Sequence, residues 1–93
     1  MNERVETIKA CLEKHFQPDH LEVIDESHLH IGHAGAQSGK GHFAVVIVAA
    51  AFADQRPLAR HRMIYDALGE LMKTDIHALR IQAKAPAEAP GSD

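Results

Sequence analysis

Apolar side chains in the first sixteen residues, Val5, Ile8, Leu12 and Phe16, recur at spacings of three and four, the period of one helix face. The pattern predicts a helix over 3–16. Asn2 stands as its N-cap, Glu3 and Glu6 suit the positive end of the dipole, and Pro18 closes it. The period then falls to two. "HLEVIDES" reads as a short strand with Leu21 and Val23 on one face, ended by Asp25, Glu26 and Ser27. Residues 27–42 hold four of the six glycines and half of the eight histidines, a composition that packs no core and reads as a loop.

The run from His42 to Ala50, "HFAVVIVAA", is almost continuously apolar and β-branched, as in a strand covered by neighbours at the centre of a sheet. After "FADQRP" a second helix is predicted from Pro57 to about Lys73, with Pro at an N1-like position and apolar residues at Leu58, Ile64, Tyr65, Leu68, Leu71 and Met72. "IHALRIQAKA" alternates again, setting Leu79, Ile81 and Ala83 against Ala78, Arg80, Gln82 and Lys84. The domain is therefore expected over 1–86, with 87–93 as a tail without packed structure.

The order helix, strand, strand, helix, strand carries a geometric consequence. Strand 42–50, the second helix and strand 77–84 form a βαβ unit, so those strands run parallel with a right-handed crossover and start at the same edge of the sheet. If the first two strands pair antiparallel, the histidine-rich loop between them lies at that edge too, beside His77. His77 itself shares parity with Leu79 and Ile81, so strict alternation turns it toward the helix-covered face.

Composition narrows the function classes. The 93 residues, 45% hydrophobic, suffice for one small domain, and the net charge of −3 gives no global basic field of the kind that drives nonspecific phosphate binding. No apolar run reaches membrane-spanning length and the polar start lacks a signal-peptide core, which points to a cytoplasmic chain with no membrane role. Cys11 is the single cysteine, so no internal disulfide forms; its place near the apolar stripe of the first helix reads as a small core residue.

Among chemistry-bearing residues, His28, His30, His33 and His42 follow an H-x-H-x2-H pattern that can gather imidazoles around zinc or iron. A solvated, imidazole-rich turn explains them equally, and the residues alone leave both readings open; His42, just before Phe43, also reads as a cap on the sheet end. His77 is either a strand-end histidine bound to backbone or, with a loop histidine, half of an iron site completed by a partner. His61 falls on or beside the buried stripe and reads as structural. Arg56, Arg60, Arg62, Arg80 and Lys84 are candidates for a local nucleic-acid surface, set against solvated helix charges with Asp66 pairing Arg62. The "SGKG" glycines run into a strand and not a helix N-terminus, so they form no phosphate loop, and no nucleophile, histidine and acid arrangement supports an enzyme.

Four segments, "LEVIDESHLHIGHAG", "GHFAVVIVAAAF", "RPLARHRMIYDALGELM" and "IHALRIQAKAP", closely resemble, in order, those of the BolA-like family over about residues 5–86. The "RHRMIY" helix segment and the "HAL" strand start, following a "DES" loop, are the most specific. The resemblance implies an α+β fold of the class II KH-like type, αββαβ, with a three-stranded mixed sheet and helices on one face. Bacterial members of that family are described as stress-related morphology or transcription regulators. Others pair with monothiol glutaredoxins around a shared 2Fe-2S cluster, the glutaredoxin supplying cysteine and glutathione, in iron-sulfur assembly or iron regulation. Alone, such a chain is expected as a monomer or weak homodimer without the cluster.

Carried over residue by residue, the family's histidine at the start of the last strand matches His77, and its variable loop ligand matches His30, with His33 the alternate and His28 loop filler. Arg60, His61 and Arg62 match a segment serving structure or partner contact. Two departures bear on nucleic-acid binding: Asp54 stands where many members carry glycine, and no GXXG loop occurs where KH-type grip on a backbone requires one.

Overall fold

The computed structural model describes residues 3–27 and 41–88. Helix α1 (Glu3–Phe16) is followed by strands β1 (His20–Asp25) and β2 (Gly41–Val48), helices α2 (Pro57–Leu68) and α3 (Leu71–Thr74), and strand β3 (Ile76–Lys84). Short 3-10 turns cover Ala50–Phe52 and Pro86–Glu88. The sheet order is β1-β2-β3, with β1 antiparallel and β3 parallel to the central β2, as the βαβ argument requires.

Helix α1 forms where the three-and-four spacing placed it. Ile8 and Leu12 are fully buried, Val5 and Phe16 flank them, and Asn2 lies outside the described residues. The helix ends at Gln17, whose N–H still donates to Glu13 O at 2.9 Å and whose positive φ of 47° then directs the chain out of the helix ahead of Pro18. Ile8, Leu12, Ile64 and Leu68 from the helices meet Phe43, Val45 and Ile47 from β2, with Phe52 sealing one end. Each such side chain contributes about 1.5–3 kcal/mol by leaving water. One face of the sheet is thus packed by helices. The other presents Ile24, Ala44, Val46, Arg80 and Gln82 around a shallow depression.

Several sequence expectations shift in register. The second helix does not run to Lys73: it stops at Leu68 because Gly69 adopts φ 50° and donates to Tyr65 O at 2.9 Å, and α3 is a separate turn. Its buried line is Arg60, Ile64 and Leu68, spaced by four; Leu58, 65% exposed, and Tyr65 lie outside it. Strand β2 ends at Val48, where the chain enters the 3-10 turn, and Ala49 N–H still reaches Lys84 O at 3.0 Å. Asp54 occupies the left-handed region with φ 64°, so the turn favoured by glycine is kept, since aspartate tolerates that conformation better than most residues. Ala87 and Glu88, expected in the tail, belong to the final 3-10 turn.

Candidate functional site

The site residues gather where β2 and β3 begin. Register places Gly41 opposite Ile76 but His42 opposite Ala78, so His77 is an extra residue on β3, a β-bulge. Ile76 therefore faces the core with Leu79, Ile81 and Ala83, while His77 and Ala78 are both exposed. The bulge overturns the parity expectation for His77: the side chain is aimed away from the helices. Its ring centroid lies 5.1 Å from that of His42, tilted by 41°.

His42 does not simply cap the sheet end. It is buried, with 9% exposure, and its backbone is fixed on both sides. Its N–H donates to Ser27 Oγ at 3.0 Å, and its carbonyl accepts from Glu26 N–H at 2.7 Å. Gly41 N–H donates to Asp75 O at 2.9 Å, tying the loop's return to the turn before β3. Glycine is required at position 41, because a Cβ there would meet the buried Phe43 ring at 2.5 Å.

Asp25, Glu26 and Ser27 do more than mark a strand end. Asp25 Oδ1 accepts from Ser27 N–H at 2.8 Å, an Asx-type turn that aims the Ser27 hydroxyl at β2. Glu26, with its side chain 17% exposed, receives Arg80 through Nη2 at 2.6 Å and Nε at 3.3 Å. These positions were missed as site-forming in the sequence, although an Asp two residues before a Ser at a strand end is the Asx-turn signature. The roots of the histidine-rich loop, Ser27 and Gly41, thus stand at the edge that carries His77. His28, His30 and His33 lie outside the described residues.

The cations do not share one surface. Arg60 is 8% exposed, and its guanidinium donates to Gln55 O (2.8 Å), Ala83 O (3.0 Å) and both oxygens of Glu88 (2.7 and 3.1 Å). Arg60, expected as a nucleic-acid, partner or structural residue, commits its guanidinium to these internal acceptors and clamps α2 to β3 and the final turn. Arg80 lies on the sheet face opposite the helices, and Arg56 and Arg62 are exposed at α2, while Lys84 is half-buried at the end of β3. The expected Arg62–Asp66 ion pair is not among those formed by described residues. His61 is half-buried. Cys11 packs at the edge of the core and donates from Sγ to Ala67 O at 3.0 Å, joining α1 to α2.

Electrostatics follow these contacts. The hydrogen bond from Arg60, then that from Ala85 N–H, hold the Glu88 carboxyl down at about 2 from an ordinary value of 4.5. Hydrogen bonding to Glu88 raises Arg60, and hydrogen bonding to Glu26 raises Arg80. Among the described residues, no three His, Cys, Asp or Glu side chains gather to hold a metal. A metal bound at His77 would need further ligands from residues 28–40 or from another molecule. No described helix is long and apolar enough to cross a membrane.

An antiparallel pair feeding a parallel βαβ crossover, with helices packed on one face of the three-stranded sheet, defines an α+β domain. The model of the family described as BolA-like protein matches residues 12–88, and the chain belongs to that family. It is 44% identical over 86 residues to SufE-like protein 1, chloroplastic/mitochondrial, of Arabidopsis thaliana, covering 87% of this chain and 23% of that one. It is 47% identical over 76 residues to the DNA-binding transcriptional regulator BolA of Escherichia coli, covering 82% of this chain and 70% of that one. In three dimensions it resembles the BolA domain of SufE1 from Arabidopsis thaliana with a TM-score of 0.85 at 43% identity, over 96% of this chain and 99% of that one. The chain therefore matches about a quarter of the SufE-like protein and nearly all of its solved BolA domain.

Proposed function

We propose that this chain is a non-enzymatic partner of a monothiol glutaredoxin and that it contributes histidine ligands, His77 and a loop histidine, His30 or alternatively His33, to a bridging 2Fe-2S cluster. The observation that carries the reading is the bulge at His77, which turns a strand-end imidazole out of the core, beside the roots of the histidine-rich loop. The donor chemistry fits such a group: an accessible imidazole at His77 suits iron, and the remaining ligands would come from the histidine-rich segment and from a partner's thiolate and glutathione.

Bound there, the cluster supplies one-electron chemistry and transferable iron, with imidazole ligation raising its potential relative to all-thiolate ligation. The chain's own residues do the rest. His77 presents a nitrogen, and the hydrogen bonds of Gly41, Ser27 and Glu26 hold residues 27 and 41, the two ends of the histidine-rich segment, at the edge that carries His77. Mixing the chain with a monothiol glutaredoxin, glutathione, iron and sulfide is expected to give a coloured heterodimer. Its visible spectrum should change in His77→Ala and in His30→Ala. An unchanged spectrum in both variants sinks the ligand assignment.

A second reading, a DNA-binding stress or morphology regulator acting in transcription, is supported by the name of the Escherichia coli relative. In this chain its cationic set reduces to Arg56, Arg62 and Lys84, because Arg60 is committed internally and Arg80 lies on another face. A salt-dependent shift assay on duplex DNA with Arg56→Glu and Arg62→Glu tests it, since loss of phosphate contacts weakens binding and flattens the salt slope.

A further inference from the structure

We infer that His42 is a positioning residue for His77: its buried ring sets the direction in which the exposed His77 imidazole is presented. The consequence for a metal rests on the ligand reading above; the orientation itself rests on the geometry of the free chain.

The two histidines differ in how firmly they are held. His42 sits in the central strand, with its N–H on Ser27 and its carbonyl on Glu26, and its ring has little room to turn at 9% exposure. His77 is an exposed bulge residue. Among the described residues it makes no side-chain hydrogen bond or ion pair, and its ring contact is the one with His42. An exposed imidazole with two rotatable bonds otherwise samples several rotamers. The centroid separation of 5.1 Å and the 41° tilt fall in the range where ring pairs attract.

The strand itself does not call for histidine at position 42. The run that follows is β-branched and apolar, and a valine or threonine would serve the ladder as well, so a buried imidazole here is better explained by what it faces. His42 is also where the two devices of this edge meet. The Asx turn of Asp25 and Ser27 fixes its backbone, and the bulge on β3 brings His77 across to its ring. Groups that orient a histidine ligand typically change metal affinity by about 10- to 100-fold when removed.

The experiment begins with the free wild-type chain in solution by NMR. Cross-relaxation between the two imidazoles and one χ1 rotamer for His77 are expected; rotamer-averaged couplings at His77 overturn the inference without any variant. His42→Phe keeps a ring and His42→Val removes it, both being good strand formers. The Phe variant should preserve the single His77 rotamer and the Val variant should average it. The same rotamer in Val as in wild type is a second contrary result. With a monothiol glutaredoxin, glutathione and cluster, His42→Val should bind the cluster about 10- to 100-fold more weakly with altered visible circular dichroism, and His42→Phe should restore both. Equal affinity in all three overturns the functional half. Failure of the ligand reading looks different: cluster formation is then indifferent to His77→Ala while the rotamer effect of His42 persists.

Discussion

The two ends of the sheet use the same ion-pair chemistry for opposite purposes. At the far end, Arg60 reaches from α2 under the end of β3, and its guanidinium is shared among Gln55 O, Ala83 O and Glu88, whose carboxylate also holds Ala85 N–H. At the histidine end, Arg80 pairs with Glu26 while its own side chain stays 74% exposed. Burial separates them. A buried guanidinium with four acceptors closes the domain, whereas an exposed one pairs with the Glu26 turn at a loop root, beside the exposed ring of His77. Stability and presentation are thereby assigned to different ends of one sheet.

The sharpest way to break that contrast is at the closed end. Arg60→Ala strands two backbone carbonyls and the Glu88 carboxylate together, and is expected to lower the melting temperature more than Gly41→Ala, Glu88→Gln or Arg80→Ala does. Thermal unfolding followed by circular dichroism measures it. Next in size is Gly41→Ala at the histidine end, where the added methyl would press on the Phe43 ring, which is 1% exposed. Overpacking of this kind costs about 1–3 kcal/mol, roughly 5–20 °C for a domain of this size. If Gly41→Ala exceeds Arg60→Ala, the closed end is not the stability centre.

Acid titration sharpens the same comparison. Glu88 has its pKa lowered from 4.5 to about 2, so the unfolded chain takes up this proton first on acidification. Its contribution to stability is fully present above about pH 4.5 and is lost as pH falls through about 2. Wild type should therefore exceed Glu88→Gln in denaturant midpoint at pH 7, and the gap should shrink steadily between pH 4.5 and 2. A gap independent of pH over that window would show that the carboxylate charge is not what Arg60 uses.

How much of this was legible in the sequence depends on the range of the interaction. Strand directions and the meeting of the loop roots with His77 follow from connection rules, and the structure has both. Helix α1 and the core positions of β2 follow from periodicity. What periodicity could not carry was any break in it: the bulge at His77 inserts one residue, reversing the face assigned to that side chain, and Gly69 interrupts a stripe that otherwise continues to Met72. Arg60 was ambiguous because its partner lies 28 residues away in a segment whose composition reads as tail. His42 looked like the first residue of a strand. The ring of His77, placed beside it by the bulge, is what periodicity does not reveal.

The smallest expected effect falls on Arg80. Its pair with Glu26 has a short contact of 2.6 Å, yet the guanidinium is mostly in water, where salt screens it and the side chain loses entropy by staying put. Arg80→Ala should leave the melting temperature within error of wild type at both low and high salt, because Glu26 keeps its backbone bond to His42 and the core is untouched. The change should appear instead as local shifts in the amide signals of Ser27 and His42, whose positions depend on the Glu26 turn. A melting-temperature loss as large as that of Arg60→Ala would mean that burial is not what distinguishes the two arginines. Silence at Ser27 and His42 would mean that the pair does not steady the loop root.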